Sequence, residues 1–118
     1  MLEKVKYDAT PQPLPVGGTI DVAIEVAKDL KAMGLENIAE CVEARIRLGE
    51  KKYGTRLKAH NGRDAMTDLF EELLDALNYS KQIQLESTNG DTYFYPELLK
   101  LVIKVKASLD LKQSTKVE

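Results

Sequence analysis

Two short acidic steps carry the chemistry this sequence suggests. Glu40 and Glu43 form an ExxE step, and Glu72 and Asp75 form an ExxD step. On a helix, i and i+3 put two carboxylates on one face, one turn apart. If the two helices pack antiparallel, four acids converge on one spot. Four oxygen donors in a half-wet groove suit Mg2+, which favours oxygen and keeps several of its waters. Such an ion neutralises phosphate charge, orients a substrate and lowers the pKa of a bound water. Between the steps lies the densest basic stretch of the chain, with Lys51, Lys52, Arg56, Lys58, His60 and Arg63. Arg56, Lys58 and Arg63 are the expected donors to phosphate oxygens. Either acidic step alone is ordinary for a solvated helix face. Two of them on consecutive helices, each beside an apolar seam and joined by a basic connector, point to a metal site.

The elements that must position these residues read as helices. Arg63–Glu86 repeats Leu69, Leu73, Ala76, Leu77, Ser80 and Ile83 at helical spacing, with Phe70 and Leu74 widening the stripe. Asp68, Glu72, Asp75 and Tyr79 line its edge. Leu35–Lys52 places Leu35, Ile38, Ala39, Val42 and Ile46 on one face. Glu43 lies nearer that seam than Glu40 and is expected to be the less exposed of the two. Thr19–Met33 is a further helix, with Thr19 or Asp21 as its cap and Gly34 as its left-handed terminator. A fourth runs from Pro96, at the first helical position, to about Leu111. Leu98, Leu99, Leu101, Val102, Ile103, Val105 and Leu109 make it apolar on more than one side, although the β-branched Val102-Ile103 leaves a strand open there.

The expected fold is therefore all-α, an antiparallel four-helix bundle over residues 19–112. Residues 1–18, with three prolines and Gly17-Gly18, form an extended N-terminal arm that Val5, Tyr7, Leu14 and Val16 can pin to a neighbouring surface. Residues 87–91 read as a turn, Thr92–Tyr95 as a short aromatic anchor for the fourth helix, and residues 113–118 as a frayed tail.

Length and composition agree with a modest helical domain. The chain has 118 residues, 43% of them hydrophobic, and a formal net charge of -2, which argues against attraction to a nucleic acid polymer. No apolar run is long enough to span a bilayer, and the expected compartment is the cytoplasm. One cysteine excludes an internal disulfide framework, and Cys and His are too few for a zinc site. Cys41 reads as a small packed residue and His60 as a solvent-exposed loop residue.

The stretch from Glu40 to Tyr79 resembles the all-α nucleotide pyrophosphohydrolases of the MazG type. It carries Glu40-Cys-Val-Glu43, a spacer, and then Glu71-Glu72-Leu-Leu-Asp75. The runs GEKKYGTRL and NGRDAMTDLFEELLDALNY further resemble small MazG-like proteins common in bacteriophage genomes. The resemblance implies cleavage of a nucleoside triphosphate to monophosphate and pyrophosphate, with Mg2+ as cofactor. It implies Glu40, Glu43, Glu72 and Asp75 as metal ligands, with Glu43 and Glu72 the catalytic members. Lys51, Lys52 and Arg56 would contact phosphate, together with Arg63 from the basic connector, and Asn78 the sugar or base. It also implies a homodimer or homotetramer with sites near subunit contacts. The alternative is a catalytically inactive helical protein of the same fold that binds a nucleotide or a protein partner.

Overall fold

A computed structural model of the chain describes residues 6–89 and 94–117, with side chains as far as residue 112. The chain is mostly helical. In order, the elements are β1 (Ile20–Asp21), α1 (Val22–Ala32), α2 (Glu36–Tyr53), β2 (Lys58–Ala59), α3 (Ala65–Glu86) and α4 (Phe94–Val117). They divide into two compact units, one spanning Gln12–Arg63 and the other Met1–Pro11 with Asp64–Glu118.

In the Gln12–Arg63 unit, α1 packs on α2. Asp21 caps α1 by accepting the backbone N–H of Ile24 at 3.1 Å. Gly34 takes the left-handed conformation just past its end. Ala23 and Ala39 are almost wholly buried, so the two helices meet through small side chains. The connector that follows α2 is stitched to the segment that precedes α1. Val16 N–H donates to the Asn61 carbonyl, Thr19 N–H to that of Ala59, and Val22 N–H to that of Leu57. Ile20 and Asp21 pair antiparallel with Ala59 and Lys58. The Arg63 guanidinium donates to the Pro13 carbonyl at 2.7 Å. The close approach requires Gly18. A Cβ there would lie 2.5 Å from the Lys58 Cβ, and its φ of +114° disfavours any other residue.

In the second unit, α3 packs on α4. Asp64 caps α3, accepting from the Met66 N–H and the Thr67 hydroxyl. Lys112 of α4 also reaches Asp64, at 2.9 Å. Phe70 and Leu109 are the buried apolar residues, and Ser80 is buried with its hydroxyl on the Leu77 carbonyl. Lys106 and Asp110, one turn apart on α4, form a buried ion pair at 2.6 Å. The inward stripe of α4 is Leu98, Val102, Val105 and Leu109, while Leu99, Leu101 and Ile103 stay exposed.

Three expectations change. Residues 20–21, expected inside the first helix, pair with residues 58–59 of the connector in a short β ribbon, so α1 begins at Val22. The fourth helix starts at Phe94 and continues to Val117, so Val102-Ile103 is helical and the backbone of residues 113–117 is helix, not a frayed tail. Pro96 falls third in that helix, still within the first turn, where a missing N–H costs no helical bond. Cys41 is exposed, not packed, because it lies on the side of α2 opposite the buried Ala39. Val5, Thr92, Tyr93 and Glu118 lie outside the described residues, as does the Gly90-Asp91 end of the expected turn. Among the described residues, no helix is long and apolar enough to cross a membrane.

Candidate functional site

The ExxE step belongs to the Gln12–Arg63 unit and the EExxD step to the other. Each can be built from its own surroundings.

Glu40 and Glu43 stand one turn apart on α2. Glu40 is exposed, and its carboxylate has no hydrogen-bond or ion-pair partner among the described residues. Glu43 is half-buried, as its place nearer the seam implies. Arg56, four residues after the helix reaches its last turn at Lys52, turns its guanidinium onto it. Nη1 donates to Oε1 at 3.0 Å and Nη2 to Oε2 at 3.1 Å, the two-pronged geometry that favours Arg over Lys. The same guanidinium donates through Nε to Asp21 Oδ2 at 2.6 Å, and through Nη2 to Oδ1 at 3.4 Å. One cation therefore ties the start of α1 to the middle of α2. The ribbon supports this, because the residues directly after Arg56 are bonded to the segment that carries Asp21. The hydrogen bonds from Arg56 hold the carboxyls of both Asp21 and Glu43 below the usual range, and Asp21, then Glu43, raise the guanidinium in return.

On α3, Glu71, Glu72 and Asp75 have separate fates. Tyr7, on the segment before α1, donates its hydroxyl to Glu71 Oε2. Its ring meets Phe70 edge-on, with centroids 5.4 Å apart and planes at 68°. The bond to Glu71, together with burial, pushes the Tyr7 phenol up to about 12. Glu72 and Asp75 are exposed, and neither carboxylate has a hydrogen-bond or ion-pair partner among the described residues. Asn78 and Tyr79, one turn further on, are exposed too.

Of the expected phosphate contacts, Lys51 and Lys52 are exposed on the last turn of α2, with the Lys52 ammonium 5.3 Å from the Tyr53 ring centroid. Arg56 is committed to carboxylates, and Arg63 is half-buried against Pro13. Lys58 and His60 are exposed, with His60 at φ +60°.

The donor chemistry fits a divalent ion unevenly. Glu72 and Asp75 offer unengaged oxygens one turn apart on α3, which suits a hard cation, and Glu40 offers its own on α2. Glu43 has both oxygens occupied by a guanidinium. Among the described residues, no three His, Cys, Asp or Glu side chains gather as a metal site requires. The sequence marks Asp21 as a cap and Tyr7 as an anchor of the arm, but not the pairing of Asp21 with Arg56 or of Tyr7 with Glu71, which no local pattern encodes. Comparison of the chain with protein-family models, curated proteins and solved structures finds no match.

Proposed function

We propose that this protein is a Mg2+-dependent nucleotide pyrophosphohydrolase that converts a nucleoside triphosphate to its monophosphate and pyrophosphate. The observation that carries the reading is the pair Glu72 and Asp75, exposed one turn apart on α3 and free of any cationic partner among the described residues. Exposed carboxylates one turn apart with no cationic partner leave their oxygens available to a hard cation. The resemblance of Glu40–Glu43 and Glu71–Asp75 to the MazG-type steps supports the same reading. In it, the helices complete an antiparallel four-helix bundle in the cytoplasm, assembled as a homodimer or homotetramer. When bound, the ion would offset phosphate charge and supply a more acidic water. By the resemblance, Glu40, Glu43, Glu72 and Asp75 would hold it, Lys51, Lys52, Arg56 and Arg63 would draw in the phosphate chain, and Asn78 would meet the sugar or base. Water would attack a phosphoryl group, and the bridging bond between the α and β phosphates would break with pyrophosphate as the leaving group.

Pyrophosphate release from a panel of nucleoside triphosphates with Mg2+ tests this, repeated with Glu72→Gln. Wild type is expected to release product and the variant to lose on the order of a hundredfold or more, the scale of a group that acts in the transition state. Equal release by both ends the catalytic reading.

One observation favours a second reading. Glu43 is already neutralised by Arg56, as in a protein that binds a nucleotide or a protein partner without turnover. Nucleotide binding in calorimetry with no product formed selects it.

A further inference from the structure

We propose that residues 6–11 form a strap latched onto α3 by Tyr7, and that this strap opens while α3 and α4 stay folded. The inference does not depend on the proposed reaction. Within the segment Tyr7 alone is half-buried, whereas Lys6, Asp8, Ala9, Thr10 and Pro11 are exposed. The Tyr7 hydroxyl donates to Glu71 Oε2, and its ring stands edge-on to Phe70 with centroids 5.4 Å apart. The Asp8 carboxylate turns back onto its own segment and accepts the Thr10 N–H at 2.9 Å. Among the described residues, the hydrogen bonds and ring contacts that join this segment to α3 are therefore those of Tyr7.

The chain that leaves the strap is stiff. Pro11 and Pro13 restrict their own φ, and the Pro13 carbonyl is held by the Arg63 guanidinium at 2.7 Å. A short tether fixed at one end and a single latch at the other make a lever that moves as a piece. One hydrogen bond and one aromatic contact hold it closed. That is far less than the packing of α3 on α4, so the strap belongs to the least stable part of its unit. Its position gives the opening a consequence. Glu71 directly precedes Glu72, and Asp75, one turn further on, acts on the Tyr7 phenol through its charge. Closed, the strap occupies Glu71 and covers the Phe70 ring, which is 5% exposed. Open, it adds a third unengaged carboxylate beside Glu72 and Asp75 and bares an aromatic ring next to them. The strap thereby switches the charge and polarity of that part of α3.

Trypsin cleavage of the full chain in low urea tests the strap, with each cut located by mass spectrometry. The bond after Lys6 lies in the strap, and the bond after the buried Lys106 lies in α4. Local opening exposes little surface and hardly responds to urea, whereas unfolding of the helices exposes much and responds steeply. Cleavage after Lys6 is expected to stay nearly flat in urea, and cleavage after Lys106 to rise steeply. Glu71→Ala removes the acceptor and leaves the cut site unchanged. It should speed cleavage after Lys6 on the order of tenfold, the scale of one hydrogen bond to a charged group. Tyr7→Phe, which keeps the ring contact, should do the same. Glu71→Gln, which keeps an acceptor, should fall between Glu71→Ala and wild type. Equal steepness at the two sites overturns the inference, because the segment then leaves α3 only when the helices unfold. Cleavage after Lys6 at the wild-type rate in both Glu71→Ala and Tyr7→Phe also overturns it, because Tyr7 is then no latch. Neither result bears on pyrophosphate release, which decides the proposed function separately.

Discussion

Arg56 pairs with two carboxylates, and its effect on stability has a definite sign. Its hydrogen bonds depress the Asp21 and Glu43 carboxyls in the folded chain. A depressed folded pKa adds stability that is present above the unfolded value, about 4 for such carboxyls, and is lost as pH falls through the folded value. The Tm of wild type should therefore drop more steeply below about pH 4 than that of Arg56→Gln, where the carboxyls lose their partner. Parallel acid limbs in a thermal-melt series would show that the clamp contributes nothing. Tyr7 has the opposite sign. Its phenol, bonded to Glu71, is pushed up to about 12. Stability from that bond is complete below the ordinary tyrosine value of about 10 and disappears as pH rises toward the folded value. Tyr7→Phe should flatten the alkaline limb between these two points and leave the acid limb unchanged.

At the scale of elements, helix ends and helix interiors make opposite demands on the same residue. Gly54 closes α2 at φ +78°, a left-handed position, whereas Gly49 lies inside α2 with open space where a Cβ would stand. Gly49→Ala should stabilise the chain by about 0.5–1 kcal/mol, and Gly54→Ala should destabilise it by about 1 kcal/mol. Chemical denaturation of the two variants measures both signs at once, and a loss at Gly49 would contradict the helix interior assigned there. For the second unit, Phe70→Ala should cost about 3–5 kcal/mol, because a nearly buried ring is removed from beneath Tyr7 and α4 has little freedom to refill the space. These elements were largely legible in the sequence, because their signals are local. Asp21 and Gly34 mark the ends of α1 through bonds to residues within a turn, whereas Asp64, read inside a helix begun at Arg63, is the cap of α3. Spacing alone also placed Glu43 nearer the seam than Glu40. What was not legible depends on distant pairs. The ribbon joins residues 20–21 to 58–59 through backbone groups that any sequence supplies. The Arg56 fork needs three segments in register, and Tyr7 finds Glu71 across 64 positions. The inward turn of Lys106 and Asp110 is likewise invisible to a hydropathy stripe, which assigns charged residues to water.

For the whole molecule, the unresolved demand is apolar surface. Leu99 and Ile103, one turn apart on α4, are 36% and 38% exposed, and Tyr79 and Ile83 on α3 are 66% and 48% exposed. The proposed assembly would cover these apolar residues. Charge patterning adds a means of recognition. Gln12–Arg63 has nine Lys and Arg against seven Asp and Glu, a balance of +2, while Met1–Pro11 with Asp64–Glu118 has eight against twelve, a balance of -4. Unlike units of two copies therefore attract, by an amount that salt screens. The proposed assembly predicts a dimer or tetramer in light scattering at micromolar concentration. Leu99→Asp with Ile103→Asp should convert it to a monomer that keeps its helical circular dichroism, because neither side chain belongs to the inward stripe of Leu98, Val102, Val105 and Leu109. A wild-type chain that is already monomeric would reject the assembly. A variant that becomes monomeric yet still releases pyrophosphate would place the whole acidic site within one chain, and an inactive monomer would make the subunit contact part of the site.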